Sequence, residues 1–453
     1  MGNALATPEK PNTRIQRVAI LFSGGPAPAA NAVIGSAAIA FSQNGIEVLG
    51  IHHGYSHLMH YTPEKRLVEG KAYRLLHGDT LEQVRSSAGI IIGTARANPG
   101  KALTKEEDLN DPEKAAPLRT VYEALRSLEV DALISIGGDD TLTTAAKFKL
   151  FQDRLPKDQP RIAVVHLPKT IDNDYHGIDF TFGYFTAVEM LATQLRNLLA
   201  DGKAAGAYYL VQVMGRKAGW LAYGAAIAGE AALVISLEDI PKEWWKTEVT
   251  VNPKTGKEVM DRETGKPQMR NVIDVRAMTA RIADTIIARK AVGKSYGVIV
   301  LAEGIGEYFP LEDLHKCVSE DEFAALEPDS FGHFPVSQIK FTGRIARLVN
   351  QALADRGEKP LKINALQFGY EVRCHHPTAF DIILGSQLGV GAYRALAENG
   401  LDGVMVSVSG DLSLLYPRFE DLIDMSRLRA KERLVSPDCD FHQLARYLER
   451  PLT

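Results

Sequence analysis

The stretch "RVAILFSGGPAPAANAVIGS", residues 17–36, decides the fold. Its first six residues form an apolar, strand-like run; Ser23, Gly24 and Gly25 then turn the chain, and helical period runs from Asn31 to Gln43. The same alternation continues outward. EVLGI (47–51) reads as the next strand, and DALISI (131–136) is followed by helical period from Thr141 to Phe151. RIAVVHL (161–167), YYLVQVM (208–214), ALVISL (232–237), YGVIVLA (296–302) and GVMVSV (403–408) extend the series. Strands alternating with helices predict an α/β protein with mainly parallel sheets. The glycines after most runs fall at strand C-terminal ends, where open α/β sheets bind ligands.

At 453 residues and 45% hydrophobic content the chain has material for two domains. A net charge of -4 argues against a large electropositive surface for nucleic acid, which needs clustered Lys and Arg. Cys317, Cys374 and Cys439 are far apart with no CxxC spacing, which fits a reducing, cytosolic compartment. The opening "MGNALATPEKPNTR" lacks the apolar core of a signal peptide, and Ala6 stands where a myristoylation site wants Ser or Thr. No apolar window approaches the roughly 18 residues of a membrane span. Residues 250–267, with two Thr-Gly turns, predict an exposed hairpin insertion; 310–336 reads as a surface helix and loop without chemistry.

Three glycine or proline turns carry candidate chemistry. Ser23-Gly24-Gly25 presents backbone N–H groups at a helix start, a phosphate-binding arrangement that also serves as an ordinary tight turn. "ISIGGDDTLT" (134–143) puts Asp139 and Asp140 into a second such turn. "PKTIDNDYHGIDFTFG" (168–183) sets Asp172 and Asp174 beside Lys169 and Thr170. Carboxylates there can take a proton from an attacking hydroxyl or hold a metal, and the lysine can neutralise a transferring phosphoryl group; the alternative is an Asx-rich turn that caps its own backbone.

Together these segments resemble the phosphofructokinase family from about Arg17 to about Gly410. The motifs SGGPAPAAN (23–31), GGDDT (137–141), PKTIDND (168–174), MGRKAG (214–219) and EG (303–304) with GYEVRCHHPTAFD (369–381) occur in the family's order. The resemblance implies two Rossmann-like three-layer α/β domains with the active site in the cleft between them. The first would span 14–182 plus about 372–410 and hold the phosphoryl donor and Mg²⁺; the second, 183–371 plus about 411–453, would hold the sugar phosphate.

Within the family, ATP-dependent members carry Gly where this chain has Asp140 and Lys169, and pyrophosphate-dependent members resemble it at both. A carboxylate at Asp140 would face the α-phosphate of a nucleotide, and desolvated like charges at about 4 Å repel by several kcal/mol. The resemblance further implies Asp139 as a Mg²⁺ ligand, Gly25 and Arg96 with Lys169 at the donor, and Asp172 as the base for the sugar C1 hydroxyl. Thr170 and Asp174 would orient that end. Met214, Gly215 and Arg216 would contact the sugar phosphate, Glu303 a sugar hydroxyl, and Tyr370 with Arg373 the distal phosphate.

The chain departs from the family at Ala207 and Asn364, where many bacterial members place arginines that grip the 6-phosphate from a neighbouring subunit, and at Pro26 and Ala29 in the first turn. The resemblance nonetheless implies a cytosolic, Mg²⁺-dependent, reversible pyrophosphate:fructose 6-phosphate phosphotransferase of glycolysis and gluconeogenesis, assembling as a homodimer or homotetramer. The rivals are an ATP-dependent or broader sugar-phosphate kinase, acting for example on sedoheptulose 7-phosphate, and a non-catalytic regulatory subunit. His375 and His376 diverge on an extended loop and are not read as a zinc site.

Overall fold

The computed structural model describes residues 13–261, 264–327, 334 and 339–449. It divides into two compact units: the described residues up to Thr186 with Val372–Glu432, and Ala187–Glu371 with the described residues from Arg433 onward. In chain order the strands are β1 (Arg17–Ser23), β2 (Glu47–Ile51), β3 (Tyr73–Leu75), β4 (Ala132–Gly137), β5 (Ala163–Pro168) and β6 (Tyr208–Val213). β7 (Leu233–Ile235), β8 (Trp245–Val249), β9 (Met269–Ile273), β10 (Gly297–Ala302), β11 (Ile363–Phe368) and β12 (Val404–Met405) follow. The helices α1 (Ala30–Gln43), α2 (Pro112–Ser127) and α3 (Asp139–Asp153) belong to the first unit.

The first unit is built on a six-stranded sheet in the order β12-β5-β4-β1-β2-β3, parallel except for β3. Every residue of β4 is buried, as expected of a strand covered on both faces, whose sequence is apolar without alternation. Helix α1 packs against the helix Ala379–Tyr393 at backbone range. A Cβ on Gly389 would lie 2.1 Å from Ser36 Oγ and 2.4 Å from Val33 O, so only glycine allows this approach.

The first unit extends past residue 410, where the sequence reading ended it. The reason is pairing. Ser413–Leu415 forms a hairpin with Ser407–Ser409, Phe419 N donates to Gly403 O at 2.9 Å, and Glu432 bridges to Tyr175. The run 403–408 is correspondingly split between β12 and that hairpin.

The second unit has a four-stranded, fully parallel sheet, β11-β6-β10-β7. β11 was absent from the sequence reading because, as an edge strand, it is mostly only half-buried and mixes Asn364 and Gln367 with its apolar residues. β8 and β9 pair antiparallel, and between them Val251 bridges Glu258 and Met260 bridges Pro267, with Gly256 and Gly265 both at φ 66. The segment after 310 is not purely superficial: two short helices, Leu311–His315 and Glu320–Ala324, precede Phe334, and Leu314, Leu326 and Phe334 enter the unit's core. Among the described residues no helix is long and apolar enough to cross a membrane.

Candidate active site

In the first unit the chain leaves β1 toward β2 on one side and returns to β4 on the other. The strand order therefore reverses between β1 and β4, and the crevice outside such a reversal is where open α/β sheets bind ligands. β1 ends there in Gly24 and Gly25, and β4 ends in Gly137 and Gly138.

A third loop is stitched to the first turn. Gly24 N donates to Ala95 O at 2.9 Å, Thr94 Oγ1 donates to Gly24 O at 2.7 Å, and Ser23 Oγ donates to Ala95 O at 3.1 Å. This holds Arg96, which is exposed, next to the turn.

Gly138 caps α3, so Asp139 and Asp140 form its first turn, where the unpaired N–H groups and the helix dipole favour negative charge. Asp140 N donates to Asp139 Oδ1 at 2.9 Å. Asp139 is half-buried, whereas Asp140 is exposed.

Lys169 follows β5 directly, its N–H donating to Gly137 O at 2.9 Å. Its side chain is buried, and its Nζ lies 3.7 Å from the position a Cβ would take on Gly24 and 3.8 Å from that on Gly138. The ammonium thus stands between the two glycine turns. Arg373 joins them, with Cζ 3.9 Å from the Cβ position on Gly25. Burial pushes Lys169 below the ordinary lysine value; Asp172, then Asp139 and Asp174, draw it back up, and Arg373 lowers it further. The structure thus sets Arg373 beside the first glycine turn, while the resemblance had paired it with Tyr370.

The loop 170–181 is fixed from within. Thr170 Oγ1 accepts from Asp172 N at 3.0 Å, and Thr181 Oγ1 donates to Thr170 O at 2.7 Å. Asn173, fully buried at φ 54, accepts from Thr181 N at 3.0 Å, while Asp172 and Asp174 on either side are half-buried. Below the loop, Tyr175 OH donates to Gly137 O at 3.1 Å and lies 2.9 Å from His166 Nε2. Since the tyrosine proton goes to a carbonyl, Nε2 is the donor of the second bond. Burial pushes His166 down to about 3, so the ring is neutral. Sequence reasoning missed these positioning residues; the only signal for Asn173 was an Asn in "DND", a residue type that tolerates left-handed backbone.

In the second unit the loops after β6, β10 and β11 carry Met214, Gly215 and Arg216, then Glu303, then Tyr370. β6 lies between β10 and β11, so these loops share one edge of the sheet. A Cβ on Gly304 would lie 2.1 Å from Arg216 O. Arg216 Nε is 3.4 Å from Glu307 Oε1, Glu303 is buried, and Tyr370 is 60% exposed. Ala207 precedes β6 and Asn364 is the second residue of β11, both at the opposite edge from these loops. Tyr208, buried, donates through its hydroxyl to Lys294 O at 3.0 Å, and Trp245 packs edge-on against Tyr308. Among the described residues no group of three or more His, Cys, Asp and Glu is placed to hold a metal ion.

The phosphofructokinase family pattern matches residues 17–258. The pyrophosphate--fructose 6-phosphate 1-phosphotransferase of Thermotoga maritima is 33% identical over 95% of this chain and 90% of its own length. The chain belongs to the phosphofructokinase family. A protein of the same description from Naegleria fowleri is 32% identical over 96% of the chain and 88% of its length. The ATP-dependent 6-phosphofructokinase of Chloroflexus aggregans is 27% identical over 93% and 95%. The pyrophosphate-dependent phosphofructokinase structure from Marinobacter aquaeolei superposes with a TM-score of 0.61 at 17% identity, covering 97% of this chain and 93% of that one. That likeness establishes the phosphofructokinase fold: two α/β units with mainly parallel sheets.

Proposed function

We propose that this phosphofructokinase-family transferase moves a phosphoryl group from pyrophosphate to the C1 hydroxyl of fructose 6-phosphate, reversibly and with Mg²⁺. The observation that carries the reading is the Lys169 ammonium, buried between the Gly24 and Gly138 turns with Asp140 on the adjoining helix start. Two backbone turns and a buried cation suit a small, compact polyanion. The pyrophosphate--fructose 6-phosphate 1-phosphotransferases at 33% and 32% identity support this donor over the ATP of the relatives at 27–30%.

In this reading the Gly24 and Gly25 turn and Arg373 hold the donor, with Arg96 at its outer side. Lys169 stabilises the charge that develops as the transferring group loosens. Asp172 takes the proton from the C1 hydroxyl, and Thr170 and Asp174 orient the acceptor. We assign sugar-phosphate contacts to Met214, Gly215 and Arg216, a hydroxyl contact to Glu303, and the distal phosphate to Tyr370.

The residues fit Mg²⁺. The charge of Lys169 is acted on by the carboxylates of Asp172, Asp139 and Asp174, and by Arg373 in the opposite sense. A polyphosphate anion is repelled from such a set unless a divalent ion accompanies it, and Asp139 offers the hard carboxylate oxygen that Mg²⁺ takes alongside phosphate and water. When bound, the ion supplies charge neutralisation on the phosphate oxygens.

Initial rates with fructose 6-phosphate and Mg²⁺, comparing pyrophosphate with ATP in one preparation, test the proposal. Turnover with pyrophosphate and little with ATP is expected; turnover with ATP alone would overturn the donor assignment.

A further inference from the structure

Lys147 lies two turns along α3 from Asp140, buried, with 7% of its surface exposed. Its ammonium donates to the carbonyl of Gly100 at 3.1 Å. The contact is close: a Cβ on Gly100 would stand 2.9 Å from Lys147 Cδ. One turn nearer the site, Thr144 Oγ1 lies 2.9 Å from Asn98 Oδ1 and 2.8 Å from Asp140 O, and Asn98 Oδ1 also accepts from Gly100 N at 2.8 Å. The 94–100 loop is therefore fastened at two ends. Thr94 and Ala95 tie it to Ser23 and Gly24; Asn98 and Gly100 tie it to the helix that begins with Asp139 and Asp140.

A buried ammonium hydrogen-bonded to a neutral carbonyl is a costly way to pack a helix, and methionine would fill the space without that penalty. We infer that Lys147 is a positioning residue for the phosphoryl donor, locking the Arg96 loop to α3 and setting the charge that Asp140 feels. The inference rests on the pyrophosphate reading above.

The charged groups around Lys147 come from four elements. Asp140 on α3 is the nearest in effect, followed by Arg429 on the hairpin 423–430 and Asp108 on the short helix Glu106–Asn110, itself paired with Lys114 of α2 at 2.6 Å. Burial brings Lys147 down to about 8, with Asp140 and Asp108 opposing the fall and Arg429 adding to it. Below that pH the loop is held by a charged donor; above it the charge, and the field on Asp140, are lost.

The test compares wild type with K147M and T144V at pH 7 and pH 9, measuring KM for pyrophosphate and for fructose 6-phosphate, and calorimetric affinity for imidodiphosphate with Mg²⁺. Losing a charge-assisted hydrogen bond should raise pyrophosphate KM about ten-fold in K147M at pH 7, with fructose 6-phosphate KM unchanged. Relative to K147M, the wild type should lose its advantage between pH 7 and pH 9; the donor's own titration cancels in that ratio. T144V should weaken pyrophosphate while keeping the pH dependence. An unchanged pyrophosphate KM in K147M, or an equal rise in both substrates' KM, overturns the proposal. If K147M gives no cooperative thermal transition, T144V with unchanged pyrophosphate KM overturns it instead. A wild type silent with pyrophosphate refutes the donor reading itself, and unaltered imidodiphosphate affinity in the variants then separately refutes the role of Lys147.

Discussion

Replacing Asp140 by Asn and by Gly separates two ways in which this side chain can exclude ATP. The carboxylate lies in the first turn of α3 and is exposed. Exposure changes the size of the effect. Two unit charges at about 4 Å repel by about 4 kcal/mol at an effective dielectric near 20, but by only about 1 kcal/mol in bulk water. For an exposed group the value falls toward the lower bound, about 1–2 kcal/mol, or roughly ten-fold in kcat/KM. That is smaller than the desolvated repulsion expected from sequence. D140N keeps the shape and removes the charge, so it should raise kcat/KM for ATP about ten-fold, with the gain shrinking at high salt. D140G also opens space and should exceed it. The assay is initial rate of fructose 6-phosphate phosphorylation with each Mg²⁺-nucleotide or pyrophosphate donor at two ionic strengths. If D140N leaves ATP use untouched while D140G raises it, exclusion is steric. If neither changes it, Asp140 does not select the donor.

Lys169→Met should lower kcat with pyrophosphate by about 10²–10³, the usual effect of deleting one preorganised charge stabiliser, with little change in either KM; an effect confined to KM would contradict its role. Gly304→Ala places a methyl 2.1 Å from Arg216 O. It should raise fructose 6-phosphate KM about ten-fold through displacement of that loop, leaving pyrophosphate KM alone. His166, pushed down to about 3, stays neutral in the folded chain while the unfolded chain binds its proton near pH 6.5. Stability supplied by the neutral ring is therefore present above 6.5 and lost as pH falls toward 3, about 2 kcal/mol of it between pH 7 and 5. Urea midpoints of H166Q should drop less over that interval than those of wild type; equal drops would mean the ring is protonated in the fold.

The fold was legible where the sheet is buried. β1, β4, β5, β6 and β10 are mostly apolar without alternation because both faces are covered, and each was found within a residue or two. The partly covered edge strands β3 and β11 carry no such apolar run and were not found, whereas the buried edge strands β7 and β12 were. At the site, the glycine turns and the Lys169 to Asp174 loop could be read locally because turn chemistry is short-range. What holds them is long-range. The tie from Thr94 to Gly24 spans 70 residues of sequence and that from Tyr175 to Gly137 spans 38. No periodicity announces a hydrogen bond between loops, which is why His166 passed as one more strand residue.

Burial also divides the labour among the charged groups. Lys169 is enclosed between backbone turns, where its interactions are little screened and its position is fixed by its own N–H on Gly137. Asp140 is exposed on the same crevice, where solvent screens its charge. A group that must stabilise charge in a transition state gains from the first setting, because low effective dielectric and rigid placement both raise its worth. A group that only discriminates between donors works from the second, since it need do no more than disfavour a larger anion. Under the proposed function, donor choice and phosphoryl transfer fall to different residues, so a change at Asp140 is expected to alter which donor is used without dismantling the chemistry around Lys169 and Asp172.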